Sequence, residues 1–150
     1  MKKESLYLET SVVSAYYDDR DSQRQIFTLN FWKISPEYEV YVSQIVQTEL
    51  EATQEKTLRS KFVELIKDVS VLKISEEEES LGNKYIQSGI IPLKYRNDAY
   101  HVAVATINAL DYMVSWNMEH MVKVKTRRMV NLVNLQNGYK SIEIITPTEL

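Results

Sequence analysis

Apolar residues follow two alternating rhythms along this chain. Short runs rich in β-branched and aromatic residues are "SLYLE" (5–9), "YEVYVS" (38–43), "VSVLKI" (69–74), "YMVSW" (112–116) and "IEIIT" (142–146). Between them apolar positions recur every three or four residues. The first rhythm predicts strands and the second helices. Phe27, Phe31 and Ile34 fall at i, i+4 and i+7, as do Leu58, Phe62 and Leu65, with Ile66 alongside. Ser75 and Glu78 have capping-box spacing, and Glu76 and Glu77 occupy a first turn where the helix dipole favours acids. Gly89 and Pro92 close that helix. A helix over Asn97–Leu110 carries Ala99, Ala103, Ala105 and Ala109, small enough for close packing. Met129, Leu132 and Val133 mark a last helix before the final strand.

Strands joined by crossover-length helices predict an α/β protein with a mainly parallel sheet covered on both faces. No repeat, low-complexity tract or Pro/Gly-rich linker divides the chain, which has only three glycines. Its 150 residues are expected to form one domain, 1–150. A chain of this length buries roughly 68–70% of its unfolded surface. Hydrophobic content of 44% and charged content of 26% are ordinary for a globular protein and argue against disorder.

The absence of cysteine excludes a disulfide framework and a thiolate metal site, and agrees with a reducing cytoplasm. The apolar run in "MKKESLYLET" is too short for a secretory signal, and no stretch approaches the roughly 20 apolar residues of a membrane span. A cytoplasmic protein without membrane contact is expected. A net charge of −3 gives no global pull toward nucleic acid, so a nucleic-acid site has to be a local basic patch.

Ligands of parallel α/β sheets collect beyond the carboxyl ends of the strands. There the first strand ends in an acid, Glu9. A buried carboxylate stays charged only where a cation or strong donors meet it. "VSQIVQTELEAT" adds Glu49 and Glu51 after the second strand. Glu49, flanked by Ile45, Val46 and Leu50, is the better placed to point inward, with Glu51 its rival. "YRNDAYHVAVAT" puts Asp98 at a helix start, with His101 and Ala105 on the same face. After the fourth strand, Ser115 or Asn117 offers a further oxygen. Such an oxygen-only set suits Mg²⁺ or Mn²⁺. One or two such ions, about 3.5–4 Å apart, activate a water and stabilise a phosphorane-like transition state.

Each acid also has a structural reading. Glu9 can cap the next helix, Glu49 can be a solvated face, Asp98 can serve the first turn, and Asn117 can cap the segment after it. His101 reads as a packed, hydrogen-bonded imidazole, Trp116 as core, and the acids at 76–79 as a solvated helix start. Asp111 lies at the opposite end of the sheet and is assigned a structural role. "MVKVKTRRM" holds Lys123, Lys125, Arg127 and Arg128 with no acid among them, and Lys94 and Arg96 can extend that set. It is an exposed helix start or a phosphate-contacting rim.

At these residues the sequence resembles the PIN-domain family of metal-dependent ribonucleases, which includes the VapC-type toxins of toxin–antitoxin systems. The resemblance spans nearly the whole chain. It rests on "YLETSVVSAYYD", "VSQIVQTEL", "NDAYHVAVATINALDYMVSWNMEH" (97–120) and "NGYKSIEIITPTEL", of which the third is the most specific. It implies a three-layer α/β/α sandwich and metal ligation by Glu9, Glu49, Asp98 and Asn117 as catalytic residues. It further implies Mg²⁺ or Mn²⁺ as cofactor, an RNA substrate, a cognate antitoxin and a homodimer. The chain departs from the family in carrying Glu9 where Asp is usual, and Asn117 where many relatives have Asp. The alternative implied is a degenerate PIN domain that binds protein or RNA without cutting.

Overall fold

The structure, a computed structural model, describes residues 2–150. Five strands alternate with helices: β1 (Ser5–Leu8), β2 (Glu39–Ser43), β3 (Ser70–Leu72), β4 (Tyr112–Val114) and β5 (Glu143–Ile145). The helices are α1 (Thr10–Ser14), α2 (Ser22–Ile34), α3 (Gln44–Glu51), α4 (Lys56–Leu65), α5 (Glu76–Gln87), α6 (Arg96–Ile107) and α7 (Val124–Gln136). Every strand expected from the sequence is present, trimmed by up to three residues.

All strand pairs are parallel, in the order β3-β2-β1-β4-β5. The sheet is covered by helices as a three-layer α/β/α sandwich. Parallel crossovers are right-handed, so the helices after β1 and β2 lie on one face and those around β4 on the other. In keeping with this, α5 packs on α6 and α7, while α1, α3 and α4 pack together. Central β1 places Leu6, Tyr7 and Leu8 in full burial, as a strand covered on both faces requires. Edge strand β3, by contrast, leaves Val71 exposed.

Three helices end in the same way. At α5, Gly89 N–H reaches Ile86 O and Ile90 N–H reaches Tyr85 O; at α7, Gly138 and Tyr139 do likewise to Leu135 and Asn134. Both are Schellman closures, with the glycine at φ 77° and 81°. At α6 the same two bonds form from Ala109 and Leu110, but the left-handed residue is Ala109, φ 53°. The helix therefore stops at Ile107, short of the expected Leu110.

The capping box of Ser75 and Glu78 forms, with Ser75 N–H donating to Glu78 Oε2 at 3.0 Å. Glu78 is buried by it, so the acidic run is not wholly a solvated face. Asp111 ties the amino end of the sheet by accepting from Ser5 N–H at 2.7 Å. No helix among the described residues is long and apolar enough to cross a membrane.

Candidate active site

The strand order reverses between β1 and β4, and the crevice outside their carboxyl ends is where such a sheet binds ligands. Glu9 directly follows β1, and Ser115 directly follows β4. Glu9 is buried and bonded on both oxygens: Ser11 Oγ and Ser115 Oγ donate to its Oε1 at 2.5 and 2.7 Å, and Ser11 N–H to its Oε2 at 3.1 Å. The carboxylate thus caps α1 and also faces the crevice, so its two sequence readings coexist. The serines have further partners. Ser11 Oγ accepts from Trp116 N–H at 2.8 Å and Ser115 Oγ from Asn117 N–H at 2.9 Å. These bonds tie the two strand ends together.

Glu49, on α3, turns to the same crevice. Its Oε1 receives the Thr10 hydroxyl at 2.7 Å and lies 2.6 Å from His101 Nε2. Glu51 instead lies exposed beside Val63 and Ile66 of the α4 region, away from Glu9. Fully buried His101 continues a chain of contacts, with Nδ1 2.6 Å from the Tyr7 hydroxyl and that hydroxyl 2.7 Å from Ser43 Oγ. Asp98, in the first turn of α6, accepts from Asn117 Nδ2 at 3.2 Å.

The charges respond to one another. Burial and then the charge of Glu9, with a smaller share from Glu49, push Asp98 up to about 6, against the opposing pull of His101 and His120. For Glu49 burial acts upward, but the bond and charge of His101 and the Thr10 hydroxyl hold it below its ordinary value. Burial acts downward on His101, but the bond to Glu49 and the charges of Glu9, Glu49 and Asp98 hold it above the ordinary imidazole range. Burial also keeps Tyr7 a neutral phenol by raising it well above its usual value.

Among the described residues no three Asp, Glu or His side chains stand in a closed metal-binding arrangement. The donor set still fits Mg²⁺ or Mn²⁺ in its chemistry. Such ions take oxygen ligands, are bound through one or two carboxylates, and retain several waters. Glu49 uses Oε1 and Asp98 uses Oδ2 in the bonds above, and the oxygens not used there are the ones a cation would take.

The basic residues divide. Lys123 and Lys125 line a cavity at the start of α7, and Lys94 Nζ lies 5.6 Å from the centre of the Tyr95 ring. Arg96 and Arg128 are exposed. Arg127 turns away toward β5, where Nη1 reaches Ile144 O at 3.5 Å. Sequence reasoning did not assign a site role to Tyr7, Thr10, Ser11 or Ser43. Their only signal was a hydroxyl within three residues of a strand end. Trp116 is half-buried and donates from Nε1 to Thr28 Oγ1 at 2.9 Å.

Three solved structures share this architecture. Mycobacterium tuberculosis VapC20, described as a Sarcin-Ricin loop cleaving toxin, superposes with a TM-score of 0.62 at 16% identity, covering 77% of this chain and 92% of its own. The Rickettsia felis VapBC2 structure, bound to a DNA fragment from its promoter, gives 0.61 at 12% identity, covering 95% and 98%. This chain has the VapC-type PIN fold. VapBC-5 of M. tuberculosis, from a toxin–antitoxin family, gives 0.54 at 18% identity, covering 95% and 98%. No protein-family model and no curated protein matches the sequence. In this VapC-type fold, Glu9, Glu49, Asp98 and Asn117 all come from segments bordering the β1/β4 crevice.

Proposed function

We propose that this chain is a divalent-metal-dependent endoribonuclease, the toxin of a toxin–antitoxin pair, working in the cytoplasm. The observation that carries the reading is a run of side-chain bonds around one crevice. Thr10, next to Glu9, holds Glu49, Ser115 holds Glu9, and Asn117, bonded to Ser115, holds Asp98, so three acids on separate elements border the same crevice. Acids gathered in this way repel each other unless a cation is held among them.

Glu9, Glu49 and Asp98 would hold Mg²⁺ or Mn²⁺ directly, and Asn117 directly or through water. When bound, the metal supplies an acidified water and positive charge opposite the developing phosphorane. The chain's own residues prepare this. Ser11 and Ser115 fix Glu9, His101 and Thr10 fix Glu49, and Asn117 holds Asp98 by one oxygen. Lys94, Lys123 and Lys125 would meet the RNA backbone, with Arg96 and Arg128, likewise exposed, beside them. The VapBC assemblies with this fold support an antitoxin partner, and a homodimer belongs to the same reading, to be checked by light scattering.

The test is cleavage of a mixed RNA pool with Mn²⁺, Mg²⁺ or EDTA, beside Asp98→Asn. Metal-dependent cutting that the folded variant lacks is the expected result, and full activity in the variant rejects the assignment. A second reading, a non-cutting binding module, draws support from Glu9, whose carboxylate already accepts three bonds from Ser11 and Ser115. No Mg²⁺ or Mn²⁺ binding at millimolar concentration would favour that module.

A further inference from the structure

We propose that the cavity between the end of α5 and the start of α7 is a nucleotide subsite, in which one unstacked RNA base lies against His120, whose ring is backed by Tyr95 outside the cavity lining, and a flanking phosphate meets Lys123 and Lys125. The inference rests on the reading of RNA as the substrate and deepens it by naming where the strand lies.

The cavity measures about 440 Å³. That is within the ~300–1,000 Å³ of clefts that take small organic groups. His120, Lys123, Lys125 and buried Thr126 line it, with Glu119 the one acid of its wall. Glu119 is highly exposed and lies 3.7 Å from His120 Nε2. A locally basic cavity is the more informative in a chain of net charge −3.

The aromatic component is built rather than incidental. The Tyr95 ring lies 4.1 Å from the His120 ring, centre to centre, with the planes only 31° apart. Lys94 Nζ sits 5.6 Å from the centre of the same Tyr95 ring. A stacking surface flanked by ammonium groups is how proteins hold single-stranded RNA, since every base has a π-face and every linkage a charge.

The cavity is also wired to the acids. Asn117 Oδ1 accepts from His120 N–H at 3.0 Å while Asn117 Nδ2 donates to Asp98 at 3.2 Å. Tyr95 immediately precedes α6, whose first turn bears Asp98. A nucleotide against His120 is thereby the neighbour of a linkage presented to the acid crevice.

Fluorescence anisotropy of a short single-stranded RNA in EDTA separates this subsite from the chemistry. Tyr95→Ala should weaken binding on the order of 10-fold, and Tyr95→Phe, which keeps the aromatic ring, should retain it. Lys123→Ala with Lys125→Ala should reduce the slope of log affinity against log salt by roughly 1.4, about 0.7 per lost phosphate contact. Lys67→Ala, which removes a charge beyond the end of α4, controls for net charge. Circular dichroism of each variant verifies the fold. Native-like affinity and salt slope in both Tyr95→Ala and the double lysine variant would overturn the subsite, as would no RNA binding by the native protein. Binding lost in these variants of a protein that never cuts RNA would keep the subsite and reject the nuclease. Cutting by a native protein whose variants bind unchanged would do the reverse.

Discussion

His101 Nε2 lies 2.6 Å from Glu49 Oε1, joining a fully buried imidazole of α6 to a carboxylate of α3. The ring's other nitrogen is 2.6 Å from the Tyr7 hydroxyl, in the centre of the sheet. Glu49 is thus oriented from the core outward, and His101 acts as its positioning residue. His101→Phe retains the bulk and removes both bonds. Loss of two buried hydrogen bonds, at about 1–3 kcal/mol each, predicts a stability drop of about 2–6 kcal/mol in urea unfolding. An unchanged midpoint would show that the pair contributes nothing to folding.

The charges of the crevice predict how stability varies with pH in the metal-free protein. Asp98 is raised from an ordinary 3.8 to about 6, so the native state holds its proton more tightly than the unfolded chain does. Its contribution is full below about 4 and is lost as pH rises through about 6. His101, also raised, loses its contribution as pH rises above the ordinary imidazole range. Glu49 is lowered, and its contribution is lost as pH falls below its ordinary value. Thermal melts in EDTA should therefore show Tm falling from pH 5 to pH 8, and Asp98→Asn should flatten that fall. A native profile as flat as the variant's would contradict the strained acid.

Added Mn²⁺ should reverse the loss at pH 8 in the native protein. Binding to the folded state alone raises stability by about 2.7 kcal/mol at a hundredfold excess over Kd. Asp98→Asn should show little of this rise. Equal stabilisation of both proteins would place the ion elsewhere.

Ser115 joins the ends of β1 and β4 by donating to Glu9 Oε1 at 2.7 Å and accepting from Asn117 N–H at 2.9 Å. Both it and the carboxylate are buried. Ser115→Ala removes a bond to a charged group, a loss of about 1.5–3 kcal/mol. Chemical unfolding measures it, and a loss below about 0.5 kcal/mol, the usual size of a surface change, would argue that Glu9 finds another donor.

Ala109 closes α6 in a left-handed conformation that glycine adopts at the ends of α5 and α7. It is exposed, so no side-chain packing is lost by removing its methyl group. Ala109→Gly should raise stability by about 1 kcal/mol, the relief of left-handed strain less the added freedom of the unfolded chain. A lower melting temperature would show that the methyl group packs after all.

Much of the architecture was legible in local pattern. The five apolar runs, the Ser75–Glu78 box and Gly89 each depend on residues near one another in sequence, and period-two or period-3.6 spacing reads directly from them. The placement of Asp111 and of Asp98 followed from which end of a strand or helix each occupies. His101 read as a packed, hydrogen-bonded ring, and it is one; its partner was not legible. Glu78 departed from its solvated reading because the capping bond draws it inward.

The sequence by itself determined the alternation of strand and helix, the one-sided supply of acids after strand ends, and the resemblance that gathers them. These are properties of spacing, and spacing survives without coordinates. Only the tertiary structure decided that Glu49 rather than Glu51 meets His101, that two serines hold Glu9, and that Arg127 leaves the basic group while Lys123 and Lys125 line a cavity. Those choices depend on helix rotation and strand order, which bring together residues such as Glu9 and Ser115 from distant parts of the chain. Their energies come from short-range bonds and desolvation, and neither is encoded in the neighbours along the sequence.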